Sequence, residues 1–266
     1  MTHPLHTLHK ARLAVSLVFC LNGFGIANWV VRIPDVKQQL ALSDGVLGLA
    51  LLAVALGSLL TMPLVGGLAA RFGSRPVVAG MLLLFAASLL LPPLAPSLWW
   101  LLPSLVFLGA GNGGIDVAMN VHGSTVERNY PRPIMSGLHA MWSVGGLLGA
   151  AFGGLLANQG VSPRLHLLLA ALLIAALFAI VWNWLLPASA DRSAKHEAKV
   201  VIRPNRVLLL IALLGVCTTI SEGAVADWSA VYLREGLGSG AGFAALGYAA
   251  FQTAMIITAL RHLAEE

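Results

Sequence analysis

Eight runs of about 20 mostly apolar residues, each long enough to cross a bilayer core as an α-helix, constrain this chain more than any other feature. They cover approximately residues 12–31, 45–67, 76–95, 98–121, 134–158, 166–187, 206–232 and 241–261. Helices are expected because backbone groups in lipid must be satisfied within their own segment, and because the runs are too uniformly apolar for barrel strands. The sequence therefore predicts an all-α integral membrane protein with eight spans.

The composition agrees with a membrane protein in a lipid bilayer and argues against a nucleic-acid partner. Hydrophobic residues make up 58% of the chain and charged residues 10%, whereas soluble domains carry about 25% charged residues. The net charge is +5, but the basic residues lie in short gaps between apolar runs rather than in a patch. Twelve of the 16 Lys and Arg residues fall at the termini and in alternate gaps, which predicts that these gaps and both termini are cytoplasmic.

The fourth run carries a polar face inside the membrane. Asn112, Asp116 and Asn120 recur every fourth residue in the stretch GAGNGGIDVAMNVHG, and this spacing stacks side chains on one face of a helix. A carboxylate at bilayer depth costs about 2.5–3.5 kcal/mol on insertion scales, so Asp116 is expected to face the bundle interior or a watery cavity. The alternative is a glycine-rich packing helix whose polar groups bond only to neighbouring helices.

Polar residues of other spans are candidates for the same cavity. Asn22 lies in the middle of the first run, and its amide can donate hydrogen bonds to a polyol-like solute and accept them from it. In the fifth run, His139 and Trp142 share a face with Ser143 and Gly146. This face either lines the cavity or packs against another helix.

Two acids are candidates for proton coupling. Asp116 could bind and release a proton as its access to water changes. Glu222 lies well within the seventh run and is the second candidate. Asp227 lies nearer the predicted outer end of that run, and we favour for it a structural ion pair with an outer basic residue such as Arg32.

A polar stretch and an internal repeat divide the chain. Residues 188–205 are predicted to form a cytoplasmic linker between a six-helix bundle of residues 1–187 and a partial, two-helix bundle of residues 206–266. A shift of 199 positions superimposes the first two runs on the last two, with identities that include Trp29 with Trp228. Parallel six-helix repeats are a known transporter plan, and on that plan this chain lacks four helices.

The loop between the second and third runs carries the most specific motif, GGLAARFGSR. It resembles the signature loop of the major facilitator superfamily, with matches at Gly66, Leu68, Arg71, Gly73 and Arg75. The usual aspartate is replaced by Ala70, and one residue of the usual basic pair by Ser74. The resemblance implies a gating loop formed by Gly66, Arg71, Gly73 and Arg75, without the charge relay that the family uses to lock one gate.

Further motifs resemble the YbjJ/MosC-like branch of that superfamily. They are NWVVRIP near Asn28, GIDVAMN around Asp116, PIMSGLHAMWSVGG, and EGAVADWSAVYL from Glu222 to Leu233. The fifth run lacks the Gly-Pro pair of the antiporter motif, which argues against drug antiport. The resemblance reaches to about residue 255. It implies a multi-pass protein of the bacterial inner membrane that works by alternating access and is truncated after its eighth helix.

We therefore predict a secondary transporter of a small polar solute, with protons coupled through Asp116 and Glu222. The expected substrate-binding residues are Asn22, Asn112, Asp116, Asn120, His139, Trp142 and Glu222. No cofactor, metal or catalytic group is expected, because the sequence contains no GxxxxGK[ST] loop and no zinc-ligand or nucleophile signature. The sequence also carries no signal for an oligomeric state.

Two alternatives to transport remain open. One is a truncated membrane protein or sensor that does not transport, because four helices of the second bundle are missing from the transporter plan. The other is an intramembrane enzyme, which would need Asp116 and His139 within hydrogen-bond reach of a reacting group.

Overall fold

Eight long helices make up most of the protein in the computed structural model, which describes residues 4–191 and 205–265. They are α1 (Leu5–Gln39), α2 (Asp44–Phe72), α3 (Ser74–Ser88), α4 (Leu98–Arg128), α5 (Met135–Asn158), α6 (Pro163–Val181), α7 (Arg206–Val231) and α8 (Ala241–Glu265). Short helical turns follow α3, α6 and α7 at Pro92–Leu94, Trp182–Trp184 and Tyr232–Gly236. All eight helices are long and apolar enough to cross a membrane. The predicted all-α fold and the number of spans are confirmed.

Side-chain oxygens fix where several of these helices begin. Asn205 Oδ1 accepts from Leu208 N at 2.8 Å at the start of α7. Glu127, at the end of α4, caps the start of α5. Its Oε2 accepts from Ile134 N at 2.6 Å and from Met135 N at 2.8 Å. A carboxylate is favourable there because a helix N-terminus carries partial positive charge. Glu127 thereby ties the end of α4 to the beginning of α5.

Two helices extend well beyond the apolar runs that predicted them. α1 continues to Gln39 and α4 continues to Arg128, whereas the corresponding runs end near residues 31 and 121. Hydropathy marks only the part of a helix that suits hydrocarbon, and a helix ends where its backbone hydrogen bonding stops. The added turns carry charged side chains at both ends of the bundle, among them Asp35 and Glu127.

α1 lies at the centre of the bundle. Its apolar segment is mostly buried, and it contacts α4, α5, α6, α7 and α8. The apolar segment of α7 is exposed, and the buried residues of that helix are confined to Ala230 and Val231 at its end. Exposed apolar surface of this kind suits contact with lipid. The functional centre of the bundle is therefore built around α1.

Glycines bring the backbones of α1 and α5 into direct contact. A Cβ atom on Gly145 would lie 1.9 Å from the carbonyl oxygen of Cys20, and one on Gly23 would lie 2.0 Å from that of Trp142. Small residues permit such close approach in membrane bundles. Gly145, Gly149 and Gly153, spaced every fourth residue, all face α1, and Gly153 also faces His166 of α6.

A second seam joins α5 to α8. A Cβ atom on Gly154 would lie 2.9 Å from the Cβ atom of Ala245, and one on Gly242 would lie 3.0 Å from the carbonyl oxygen of Gly154. This is the most extensive contact between the first six helices and the last two. Any motion of α7 and α8 relative to the first six helices must therefore change this contact.

The predicted linker, residues 188–205, is described only at its edges. It begins with a single helical turn, Ala188–Ala190, and Asn205 caps α7. Residues 192–204 lie outside the described residues. The division into bundles of residues 1–187 and 206–266 stays a prediction.

Gly145→Ala should destabilise the bundle by about 1–3 kcal/mol, the usual cost of overpacking, because its Cβ atom would collide with a backbone oxygen of α1. The control is Gly137→Ala on the same helix, where a Cβ atom would meet nothing within 4 Å. This control should be neutral or stabilising, since alanine is the better helix former. Thermal unfolding of both variants in detergent measures the difference, and equal melting temperatures would contradict the α1–α5 contact.

Candidate functional site

Three of the predicted site residues form one hydrogen-bonded cluster where α1, α4 and α5 meet. Asn22 Nδ2 donates to Asn112 Oδ1 at 2.9 Å, and Trp142 Nε1 donates to Asn22 Oδ1 at 2.8 Å. Asn22 is buried, while Asn112 and Trp142 are half-buried. The cluster, here named the asparagine cluster, can form because Gly23 lets α5 approach α1 at this level. It holds amide and indole groups in a fixed arrangement inside the bundle.

Asp116 and Asn120 occupy the next two turns of the same face of α4. Asn120 Nδ2 donates to the carbonyl oxygen of Asp116 at 2.8 Å and to its Oδ1 at 3.2 Å. The Asp116 side chain is half-buried. His139 is exposed, and its ring packs edge-on against Phe19 with centroids 5.3 Å apart. The Asp116 carboxyl is therefore hydrogen-bonded along its own helix face, to Asn120.

A cavity of about 430 Å³ opens beside the later turns of this face. Its lining residues are Gly66, Ala69, Ala70, Asn120, Val121, Ser124, Thr125, Arg128 and Asp191. The polar face of α4 extends into it, with a polar residue every fourth position at Asn112, Asp116, Asn120, Ser124 and Arg128. One helix face thus runs from the asparagine cluster to the cavity. The cavity lies where α2 and α4 end, which the charge pattern predicts to be the cytoplasmic side.

The predicted gating loop turns tightly between α2 and α3. Gly73 has a φ of 87°, a left-handed conformation that favours glycine, and a Cβ atom there would lie 2.5 Å from the carbonyl oxygen of Ala188. Arg75 donates to the carbonyl oxygen of Trp182 at 3.1 Å, and its guanidinium carbon lies 4.4 Å from the centroid of that indole ring. Gly73 and Arg75 therefore hold the loop against the segment that follows α6.

The other two residues of the predicted loop lie elsewhere. Gly66 lines the cavity. Arg71 is exposed, and its guanidinium carbon lies 5.1 Å from the ring centroid of Phe72. The structure thus places Gly73 and Arg75 in a loop contact, Gly66 in a cavity wall and Arg71 in neither.

A hydrogen-bonded cluster that we did not predict fixes the start of α3. Asp191 Oδ2 accepts from Ser74 N at 2.7 Å and from the Ser74 hydroxyl, and Ser74 Oγ lies 2.6 Å from His122 Nδ1. Leu186 N donates to His122 Nε2 at 3.3 Å, so the ring carries its proton on Nδ1 and donates to Ser74. Asp191 places a carboxylate at this helix N-terminus, near the loop whose usual aspartate is replaced by Ala70. Because Asp191 is 117 positions from Ser74, no local pattern could have indicated this contact.

At the opposite end of the bundle, ion pairs join α1 to the turn Tyr232–Gly236 that follows α7. Asp35 accepts from Arg32 Nη1 at 2.9 Å and from Arg234 Nη1 at 2.5 Å, and Lys37 pairs with Glu235. A cavity of about 660 Å³ lies beside these residues, and its charged lining residues belong to the same pairs. This group is here named the outer ion cluster, because the charge pattern predicts that it lies outside the cytoplasm.

The predicted pairing of Asp227 with Arg32 is wrong. Arg32 pairs with Asp35, and it also donates from Nη2 to the carbonyl oxygen of Val161 at 2.8 Å and from Nε to His166 Nδ1 at 2.6 Å. Asp35 lies three residues after Arg32 on the same helix, close enough for its carboxylate to pair with that guanidinium. Asp227 is therefore not part of the outer ion cluster.

Glu222 is not part of the asparagine cluster. It is exposed on α7, and its charge acts on Tyr248 of α8, as does that of Asp227. Tyr248 and Gln252 are buried on one face of α8. We predicted neither residue, because apart from this pair no polar residues of the eighth run are four positions apart.

Within residues 4–191 and 205–265, no three His, Cys, Asp or Glu side chains are grouped as a metal site requires.

Comparison with known proteins identifies the family. The Major Facilitator Superfamily profile matches residues 15–264. The chain belongs to this superfamily. This major facilitator chain is 35% identical over 250 residues to the uncharacterized transporter y4wD of Sinorhizobium fredii, and the match covers 93% of this chain and 65% of y4wD. The chain is also 37% identical over 252 residues to the membrane protein MosC of Rhizobium meliloti. The predicted resemblance to the superfamily and to its MosC-like branch is therefore confirmed.

The match to MosC covers 91% of this chain and 59% of MosC, so the chain spans less than two thirds of both relatives. Among solved structures, the fold is similar to the nucleoside transporter NupG, with a TM-score of 0.65 and 10% sequence identity. That match covers 84% of this chain and 58% of NupG. At this identity the likeness shows the fold alone.

Asp35→Asn should destabilise the protein by about 3 kcal/mol, because it leaves the buried Arg32 guanidinium without its carboxylate. The matched control is Asp44→Asn, which removes the 71% exposed partner of Lys37 and leaves Lys37 paired with Glu235. This control should lower stability by less than about 1 kcal/mol. Thermal unfolding in detergent at low and high salt measures both, and equal losses would contradict the central place of Asp35 in the outer ion cluster.

Proposed function

We propose that this major facilitator chain is a secondary transporter that carries a small polar solute by alternating access. The observation that carries the proposal is the polar face of α4, which runs from the asparagine cluster to the cavity. Amide groups and an indole N–H offer neutral donors and acceptors, which suit hydroxylated or amide-bearing solutes. The transporter y4wD and the superfamily support transport as the activity. The class of solute follows from the site alone.

The outer ion cluster supports a gate between two halves, residues 1–187 and 206–266. It joins the end of α1 to the turn that follows α7, a position that supports a gate on the predicted outer side. Asp35 and Arg234 are 199 positions apart, which is the offset of the internal repeat. Equivalent residues of two related halves meet only near the axis that relates them. In transporters with parallel repeats this axis is normal to the membrane, so the ion pair would lie over the central pathway.

For protons we propose coupling through Asp116 and Glu222. Protonation of Asp116 would remove its negative charge and weaken its acceptance of the Asn120 amide. Asn120 lines the cavity, so a proton on Asp116 would alter a group that a solute in the cavity meets. Glu222 would act in the same way on Tyr248 from the side of α7.

The membrane location and orientation are further parts of the proposal. Eight membrane-spanning helices and relatives from two bacteria support a multi-pass protein of the bacterial inner membrane. The distribution of Lys and Arg favours cytoplasmic termini.

Asp116→Asn should weaken the pH dependence of the response to solute without abolishing folding, because an amide cannot titrate but keeps the size of the side chain, and Glu222 remains as the second coupling acid. The measurement is the shift in melting temperature with a panel of sugars, polyols, amino acids and organic acids across pH, followed by proteoliposome uptake of the responding solute. Asp44→Asn, a change at an exposed carboxylate outside the polar face, is the matched control and should behave as the native chain does.

The outcomes distinguish transport from its alternatives. Uptake that follows an imposed pH gradient in the native chain and follows it more weakly in Asp116→Asn would support coupled transport. A shift in melting temperature without uptake would indicate a binding or sensing protein instead. The absence of both would favour a membrane protein that does not transport.

A further inference from the structure

Gln252 of α8 is a buried amide that makes no hydrogen bond within the described part of the chain. Its side chain is 0% exposed, and neither Nε2 nor Oε1 has a hydrogen-bond partner there. The Tyr248 hydroxyl, one turn earlier, interacts with the amide without reaching the geometry of a hydrogen bond. A buried amide without partners loses the hydrogen bonds that water would supply, so Gln252 destabilises the conformation described.

The position of this amide links it to the asparagine cluster. A Cβ atom on Gly146 of α5 would lie 2.9 Å from Gln252 Nε2, so the amide rests directly on that glycine. Gly146 follows Trp142 by one helical turn, a rise of about 5.4 Å. Trp142 donates to Asn22 at 2.8 Å. Gln252 therefore reaches the seam from α8 within about one turn of the asparagine cluster.

Helix packing alone gives no reason for a glutamine at this position. Leucine or methionine would fill a similar volume without a buried unpaired donor and acceptor. Elsewhere in the same seam the contact is apolar, as where Ala245 meets Gly154. The amide is thus suited to a second state of the protein, in which its donor and acceptor are used.

We propose that Gln252 and Tyr248 are the solute-binding groups contributed by α8, and that they bind a neutral solute with adjacent hydroxyl groups. A primary amide presents a donor and an acceptor side by side, which matches two neighbouring hydroxyls, and the tyrosine hydroxyl adds a third group. Because Gly146 covers the amide in the conformation described, the solute contacts it when α5 and α8 separate. This inference rests on the proposed transport function and names its solute class.

The charges around Tyr248 favour a neutral solute over an anionic one. Glu222 and Asp227, both on α7, act electrostatically on Tyr248. Two carboxylates on this side would repel a negatively charged solute wherever they are ionised. Hydroxyl groups avoid this repulsion and can still use the amide of Gln252.

Gln252→Leu tests the proposal by separating stability from binding. In the absence of solute the variant should melt about 2–4 °C higher than the native chain, because an unpaired buried amide is removed. It should lose the shift in melting temperature that ribitol or glucose gives to the native chain, while succinate should shift neither. Thr253→Leu is the matched control, since Thr253 is the next residue of α8 and is exposed, and it should keep the native shift.

A labelling experiment tests whether water and solute reach the position. Gln252→Cys is placed in a chain with Cys20→Ala and Cys217→Ala, and its modification by methanethiosulfonate ethylammonium is followed in membranes. Ser124→Cys in the cavity is the accessible reference, and Leu105→Cys, buried at 0% exposure, is the inaccessible one. Gln252→Cys should react faster than Leu105→Cys, and ribitol or glucose should slow it.

Several outcomes would overturn the assignment. One is a native-like solute shift in Gln252→Leu, and another is a rate for Gln252→Cys no faster than that of Leu105→Cys. A native chain that responds to succinate but not to ribitol or glucose would refute the solute class and leave transport itself standing. Whether the chain transports at all is decided separately, by the wider solute panel and the proteoliposome uptake assay described above.

Discussion

The backbone contact between α1 and α5 positions the asparagine cluster inside this bundle. In lipid, helices gain little from burying apolar side chains against one another, so they associate through close packing and interhelical hydrogen bonds. Gly23 and Gly145 remove the side chains that would hold the two helices apart. Asn22 and Trp142, each next to or near one of these glycines, then come within hydrogen-bond distance. The asparagine cluster is therefore a consequence of how the helices pack.

The polar groups at the two ends of the bundle are stabilised in different ways. At the predicted outer end, full charges pair across helices, and water can solvate them when the pairs separate, which offsets part of the loss. At the predicted cytoplasmic end, His122, Ser74 and Asp191 form a relay in which each donor already has its acceptor. The outer contact suits reversible opening, whereas the inner relay suits a fixed anchor for α3.

Features with a regular spacing could be predicted from the sequence, and isolated ones could not. Polar residues at every fourth position of α4 predicted one face, and that face is present. Asp191 and Ser74 are far apart in the chain and leave no repeating signal, and Gln252 repeats only once at helical spacing, with Tyr248, in an alanine-rich run. The error at Asp227 has a related cause. The ends of α1 and α7 each carry several charges, and only packing decides which of them meet.

The contact of Asp35 with Arg234 also limits how similar the two halves can be. These residues are 199 positions apart, so they occupy equivalent positions of the predicted repeat. If both halves had the same sequence there, an aspartate would face an aspartate or an arginine would face an arginine, and the like charges would repel. A chain with this ion pair must therefore differ between its halves at a point of near symmetry. Two copies of either half alone could not reproduce the attraction.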